Sequence, residues 1–146
     1  QSQYQQRENE SLGLWDTTTL DGLYSLRLTV VRTNSSVVDF VLPVTVDNQA
    51  PTISLHYPED GKTYYYPEDE FITLQTRTAD NVSMDRVEFF MDGARIATST
   101  VAPFNERWIM DGAGQHTFWA VAYDAAGNSL ESNRVTVTIV EGSPTE

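Results

Sequence analysis

"RVEFFMDGARIATST", Arg86 to Thr100, is two alternating runs joined by Asp92-Gly93. Side chains that alternate apolar and polar belong to a strand with one buried face, because successive Cβ atoms point to opposite sides. Asp-Gly between two such runs is the signature of a two-residue hairpin, since both central positions need positive φ. The stretch is therefore read as a β-hairpin with Val87, Phe89 and Ile96 turned inward.

The same period extends on both sides. "TISLHY", "KTYYY", "EFITLQTRT", "FNERWIM", "QHTFWAVAY" and "NRVTVTIV" are short alternating runs, separated by turn chemistry at Pro58, Tyr66, Ala79, Asp111 and Ala125. Short strands with regular turn signals predict an antiparallel β-sandwich. No window carries helical periodicity, so helix is expected to be nearly absent. The expected core is Ile53, Leu55, Ile72, Leu74, Val87, Phe89, Ile96, Trp108, Phe118, Ala120, Ala122, Val135, Val137 and Ile139. Trp119, Val121 and Tyr123 fall on the opposite phase and read as an exposed ladder.

Upstream, "LGLWD" and "DGLYSLRLTVVRT" read as strands, the second with Tyr24, Leu26, Leu28 and Val30 on one side and Leu23, Ser25, Arg27 and Thr29 on the other. "NSS" turns the chain into "VVDFVLPVTVDN", where Pro43 cannot donate to a ladder and marks an edge or a bulge. "DNQAP", Asp47 to Pro51, is a boundary of turn-favouring residues. "DGLYSLRLTVV" with its return strand parallels "AGQHTFWAVAYDAAGN" with "SNRVTVTIVEG" as a weak internal repeat. The expected organisation is a mobile tail at 1–11, a partial first repeat at 12–48, a linker at 49–51, a complete domain at 52–141 and a tail at 142–146.

The residues "VEFFMDGARIATSTVAPFNERW" and "HTFWAVAYDAAGNS" resemble bacterial immunoglobulin-like repeats, on the pattern V-E-F-Y-x-D-G, then A-P-Y/F with a following W, then H-x-x-x-A-x-A-x-D-x-A-G-N. "LGLWDTTTLDGLYSLRLTV" with "VTVDNQAPTI" is similar to repeats of exported envelope proteins, among them those at the C-terminus of class A penicillin-binding proteins, the peptidoglycan synthases. The resemblance implies an Ig-like sandwich, an extracellular or cell-envelope location in a bacterium, and a catalytic serine outside this chain.

Composition narrows the function. The chain carries 21 acidic and 9 basic residues, a net charge of −12. Nucleic acid and anionic membrane surfaces are excluded as partners, because both are bound through clustered Lys and Arg. Cysteine is absent, which removes disulfides, zinc thiolates and thiol catalysis. No apolar run approaches the ~20 residues of a membrane-spanning helix, and "QSQYQQRENE" has no signal-peptide pattern.

Enzyme motifs are missing: no S-x-x-K, K-T-G, G-x-S-x-G, H-E-x-x-H or phosphate loop occurs, and His56 and His116 lie on different strands. The chain is expected not to be an enzyme. The acidic pairs Glu59-Asp60 and Glu68-Asp69-Glu70 read as solvated turns. Calcium is the candidate ion, with Asp47, Asn48, Asp80, Asn81 and Asp124 as oxygen ligands, although no D-x-D-x-D spacing appears. The leading reading is a noncatalytic spacer or docking module whose partner is a protein or cell-wall glycan surface. The alternative is a carbohydrate or peptidoglycan binding module that stacks sugars on Tyr64, Tyr66, Trp119 and Tyr123. Unpaired strand edges in the partial repeat would also favour a homodimer.

Overall fold

A computed structural model describes residues 11–143. The expected tails at 1–11 and 142–146 lie largely outside the described residues. The chain divides into two compact units, Gln1–Asn48 and Gln49–Glu146. Every regular element among the described residues is a strand.

The first unit is an antiparallel ribbon of β1 (Gly22–Val31) and β2 (Val37–Val46), in register from Gly22 opposite Val46 to Val31 opposite Val37. The "NSS" turn between them is held by Asn34, whose Oδ1 accepts the Ser36 amide at 3.1 Å and its hydroxyl at 2.7 Å. Pro43 stands opposite Ser25 within this two-stranded ladder, so its strand is an edge, as the missing N–H requires. "LGLWD" is not a strand. Instead, Trp15 meets the Tyr24 ring edge-on at 5.3 Å. The following turn is tied down by Asn48, whose Nδ2 donates to the Thr17 and Leu20 carbonyls at 2.6 Å each. The carboxylate of Asp21 accepts the Asn48 amide at 2.7 Å.

Among the described residues, the second unit has nine strands: β3 (Thr52–Tyr57), β4 (Thr63–Tyr66), β5 (Phe71–Ala79), β6 (Met84–Met91), β7 (Ala94–Ser99), β8 (Glu106–Ile109), β9 (Gly114–Asp124), β10 (Ser129–Glu131) and β11 (Val135–Glu141). They form a sheet β3-β5-β8 and a larger sheet β4-β11-β9-β6-β7, in which β10 also pairs with β9. The β4–β11 pair is parallel, the one departure from the antiparallel expectation among the described residues. β10 and β11 occupy one side of β9 in succession, with Ser132 bridging them: its amide donates to the Ala120 carbonyl at 2.8 Å and its Oγ accepts the Ala120 amide at 2.9 Å.

The hairpin that opened the sequence reading forms as its two turn residues dictate. Met91 pairs with Ala94 across Asp92 and Gly93, whose φ values are 50° and 94°, the left-handed pair of a type I′ turn. Between the two sheets lie Leu55, Ile72, Leu74, Val87, Phe89, Phe118, Ala120, Ala122, Val135, Val137 and Ile139, all buried. Ile53, Ile96 and Trp108, expected in the core, are partly buried at its margin. Tyr64, Phe104 and Met110 join the core without having been expected there. Phe104 enters from a loop at φ 53°, secured by Thr76, whose Oγ1 donates to the Phe104 carbonyl at 2.7 Å.

Candidate functional site

Two places in the second unit gather polar chemistry: the loop carboxylates and the outer face of the large sheet. The carboxylates come first, because acid–base or metal chemistry would have to use them.

Asp124 ends β9 and is 2% exposed. Its Oδ1 accepts the Asn128 amide at 2.8 Å and its Oδ2 accepts the Asn128 side-chain amide at 2.8 Å. Burial pushes its carboxyl up, but the Asn128 side chain and the Asn128, Gly127 and Ala126 amides outweigh burial and hold it below the usual carboxylate range. Gly127 takes φ 97° to close the turn, as "DAAGN" requires. Asp92 is used in the same way. Its Oδ1 accepts the Thr117 amide at 2.8 Å and its Oδ2 meets His116 Nδ1 at 2.7 Å. Partial burial raises the Asp92 carboxyl, while the Thr117 amide and His116 bring it, on balance, below its ordinary value.

The acidic pairs from the sequence follow suit. Asp60 Oδ1 accepts the Thr136 amide and Asp69 Oδ2 accepts the Tyr65 amide, both at 2.8 Å, while Glu68 accepts the Ser143 hydroxyl at 2.6 Å. Asp80 Oδ2 accepts the Val82 and Ser83 amides at 2.9 and 2.7 Å. Its other oxygen, Oδ1, is buried and has no hydrogen-bond partner among the described residues. One carboxylate oxygen each of Asp80 and Asp124 approach within 4.8 Å.

The outer face of the large sheet is closed by its own side chains. Phe90 and Trp119, cross-strand partners on β6 and β9, stack with ring centroids 5.4 Å apart and planes 7° from parallel. The Arg134 guanidinium lies 4.0 Å from the Trp119 ring centroid and pairs with Glu131 at 2.9 Å. Beside them, Arg86 lies 3.8 Å from the Tyr123 centroid and donates to Glu88 Oε1 at 3.0 Å, and Arg95 Nη1 approaches the same oxygen at 3.4 Å. Guanidinium groups over aromatic faces gain cation–π attraction and cover the apolar rings with their stems.

Residues 51–120 match the family model described as a bacterial Ig domain. Among solved structures, the chain is similar to the fibronectin(III)-like modules of CbhA from Clostridium thermocellum, at 20% identity and a TM-score of 0.56, covering 62% of this chain and 96% of that one. The second unit has an immunoglobulin-like fold. Dimeric latent PorU from Porphyromonas gingivalis (14% identity, TM-score 0.43, 84% of this chain and 13% of that one) and the D00-D0 domain of intimin (17% identity, TM-score 0.36, 80% and 64%) align too loosely to speak for a shared fold. No curated protein matches the sequence.

Within the Ig-like unit, two of the four proposed sugar-stacking rings are withdrawn from solvent. Tyr64 is 5% exposed and packs in the core, where burial and then Tyr57 push its hydroxyl above the usual phenol range. Trp119 is 9% exposed, between Phe90 and Arg134. The expected exposed ladder is corrected accordingly: an outward phase on one strand does not expose a ring that neighbouring strands cover. Tyr66 packs partly against the core and Tyr123 lies under Arg86, both half-buried.

Of the candidate calcium ligands, Asp80 and Asp124 come together, Asn48 spends its amide nitrogens on the first unit's turn, and Asp47 and Asn81 each keep contacts of their own. The sequence reading missed Arg134, Arg86 and Asn133. Asn133 Oδ1 accepts the Leu55 amide at 2.9 Å and its Nδ2 donates to the Leu55 carbonyl at 3.1 Å, tying β3 to the chain between β10 and β11. The Phe90–Trp119 pairing joins β6 to β9, strands that no turn connects directly, so local signals do not set it. The Asn133 clamp left no local signal.

Proposed function

We propose that this chain is a noncatalytic Ig-like spacer or docking module of an exported bacterial envelope protein, and that the W-D-T and D-G-x-Y-x-L-R-L motifs of its first unit come from the C-terminal region of a peptidoglycan synthase of the penicillin-binding class. One observation supports the reading above others: the groups that could do chemistry are spent on holding loops. Asp60, Asp69, Asp80, Asp92 and Asp124 all accept backbone amides, and His116 is bonded to Asp92. A carboxylate fixed by two donors below its ordinary pKa is a poor proton carrier near neutrality.

The test is turnover. The purified chain, incubated with peptidoglycan and with a denatured protein substrate, is expected to release no product. Product formation that disappears in His116→Ala or Asp92→Ala would overturn the noncatalytic reading. Exposure of the parent protein at the surface of intact cells, assayed by protease shaving and peptide mapping, is the expected location.

A calcium ion is a second reading, favoured by the buried, unpartnered Asp80 Oδ1 near the Asp124 carboxylate. Hard cations take such oxygens together with backbone carbonyls and water. Millimolar calcium chloride is then expected to raise the melting temperature by several degrees, and Asp80→Asn to lose the shift. An unchanged melting temperature in the native chain would remove calcium.

A further inference from the structure

The first unit is a β-ribbon with one wholly apolar face. Alternation and register place Tyr24, Leu26, Leu28 and Val30 of β1 on the same side as their partners Val44, Leu42, Phe40 and Val38 of β2. No polar or charged group interrupts these four cross-strand pairs beyond the Tyr24 hydroxyl. The other side is mixed: Ser25, Arg27, Thr29, Asp39 and Thr45 interrupt Leu23, Val31, Val37, Val41 and Pro43, and Thr29 donates to Asp39 at 2.5 Å. Leu28, Phe40 and Leu42 nevertheless leave 44%, 59% and 61% of their surface exposed.

Among the described residues, the chain's own cover is slight. Leu12 lines a groove with Leu26, Leu28, Phe40 and Leu42, whose rim is shared by Arg27 and Val41, and Trp15 reaches Tyr24, but Leu12 stays 55% and Trp15 41% exposed. An isolated two-stranded hairpin is marginal in water, and a sheet face of this kind is normally one layer of a sandwich.

We propose that a second copy of this chain supplies the missing layer, with two ribbons packing apolar face on apolar face about a twofold axis. The face offers roughly 500 Å² of apolar surface, in the upper half of the ~300–600 Å² range of the largest patch on a typical monomer. Two such faces bury about 1,000 Å², the lower bound for a specific interface. Charge permits it. The chain carries −12 overall, yet Gly22–Val46 holds Arg27 and Arg32 against Asp39 alone, so the ribbon has one positive charge in excess and the acidic repulsion originates elsewhere. Self-complementary association through one patch is the geometry of a twofold dimer.

Sedimentation equilibrium on the intact chain, from micromolar to near-millimolar concentration, tests this. Dimers are expected, with Leu28→Asp abolishing them and Leu28→Thr, which keeps strand propensity, weakening them at least tenfold. Leu23→Asp, on the opposite phase and outside the groove, should leave association within twofold of the native chain. A strict monomer throughout the range would overturn the proposal. Equal loss with Leu23→Asp and Leu28→Thr would overturn it in favour of edge-to-edge pairing.

Discussion

Replacing Asp124 with alanine should be the most damaging loop substitution in the Ig-like unit, and the loss should be pH-dependent in a specified direction. The carboxylate is 2% exposed and takes two bonds from Asn128, both at 2.8 Å. A hydrogen bond to a charged group contributes about 1.5–3 kcal/mol net, and the half-buried Asn128 can recover some of this from water, so about 3 kcal/mol is expected in total. For a domain of this size that is a fall in melting temperature of about 15 °C at neutral pH.

The sign with pH follows from the depressed carboxyl. A group whose folded pKa lies below its unfolded value contributes its stability above the unfolded pKa and loses it as pH falls through the folded one. The native chain should therefore weaken below about pH 4, while Asp124→Ala has nothing of this kind left to lose at that position. Thermal unfolding followed by circular dichroism between pH 7 and pH 2 should show the gap between the two proteins narrowing on acidification. A gap under 3 °C at neutrality, or one that widens in acid, would refute the assignment of Asp124 as the staple of this turn.

Trp119→Ala should cost about 3 kcal/mol of stability, because it removes a ring packed between Phe90 and Arg134. Unchanged melting with lost retention on insoluble peptidoglycan would instead restore Trp119 to a ligand face. Asn133→Ala should cost about 2 kcal/mol by leaving the buried Leu55 amide and carbonyl unpaired. Hydrogen exchange at the Leu55 amide should accelerate at least tenfold, and unaltered protection there would refute the clamp.

The residues whose role was legible in advance are those governed by neighbours along the chain. Asp92-Gly93 specifies its turn through two left-handed φ values, and "DAAGN" specifies another through a carboxylate, a glycine and an amide within five positions. Val87, Phe89, Phe118, Ala120, Val135 and Val137 are core because period-two alternation puts them on one side of their strands. The candidate site was legible only in part. The turn at Ala125 was recognisable, whereas Tyr64 and Trp119 were read as accessible and are covered.

The sequence by itself determined the strands, their turns and which side of each strand is apolar, because backbone conformation and side-chain phase are local properties. Tertiary structure alone decided what lies against each side. Phe90 reaches Trp119 from β6 and Arg134 from the segment between β10 and β11, β4 joins β11 in parallel and takes Tyr64 inward, and Asn133 clamps Leu55 across 78 positions of sequence. The same division leaves the apolar face of β1 and β2 open: alternation dictates that the face exists, and only a packing partner determines whether it is dry.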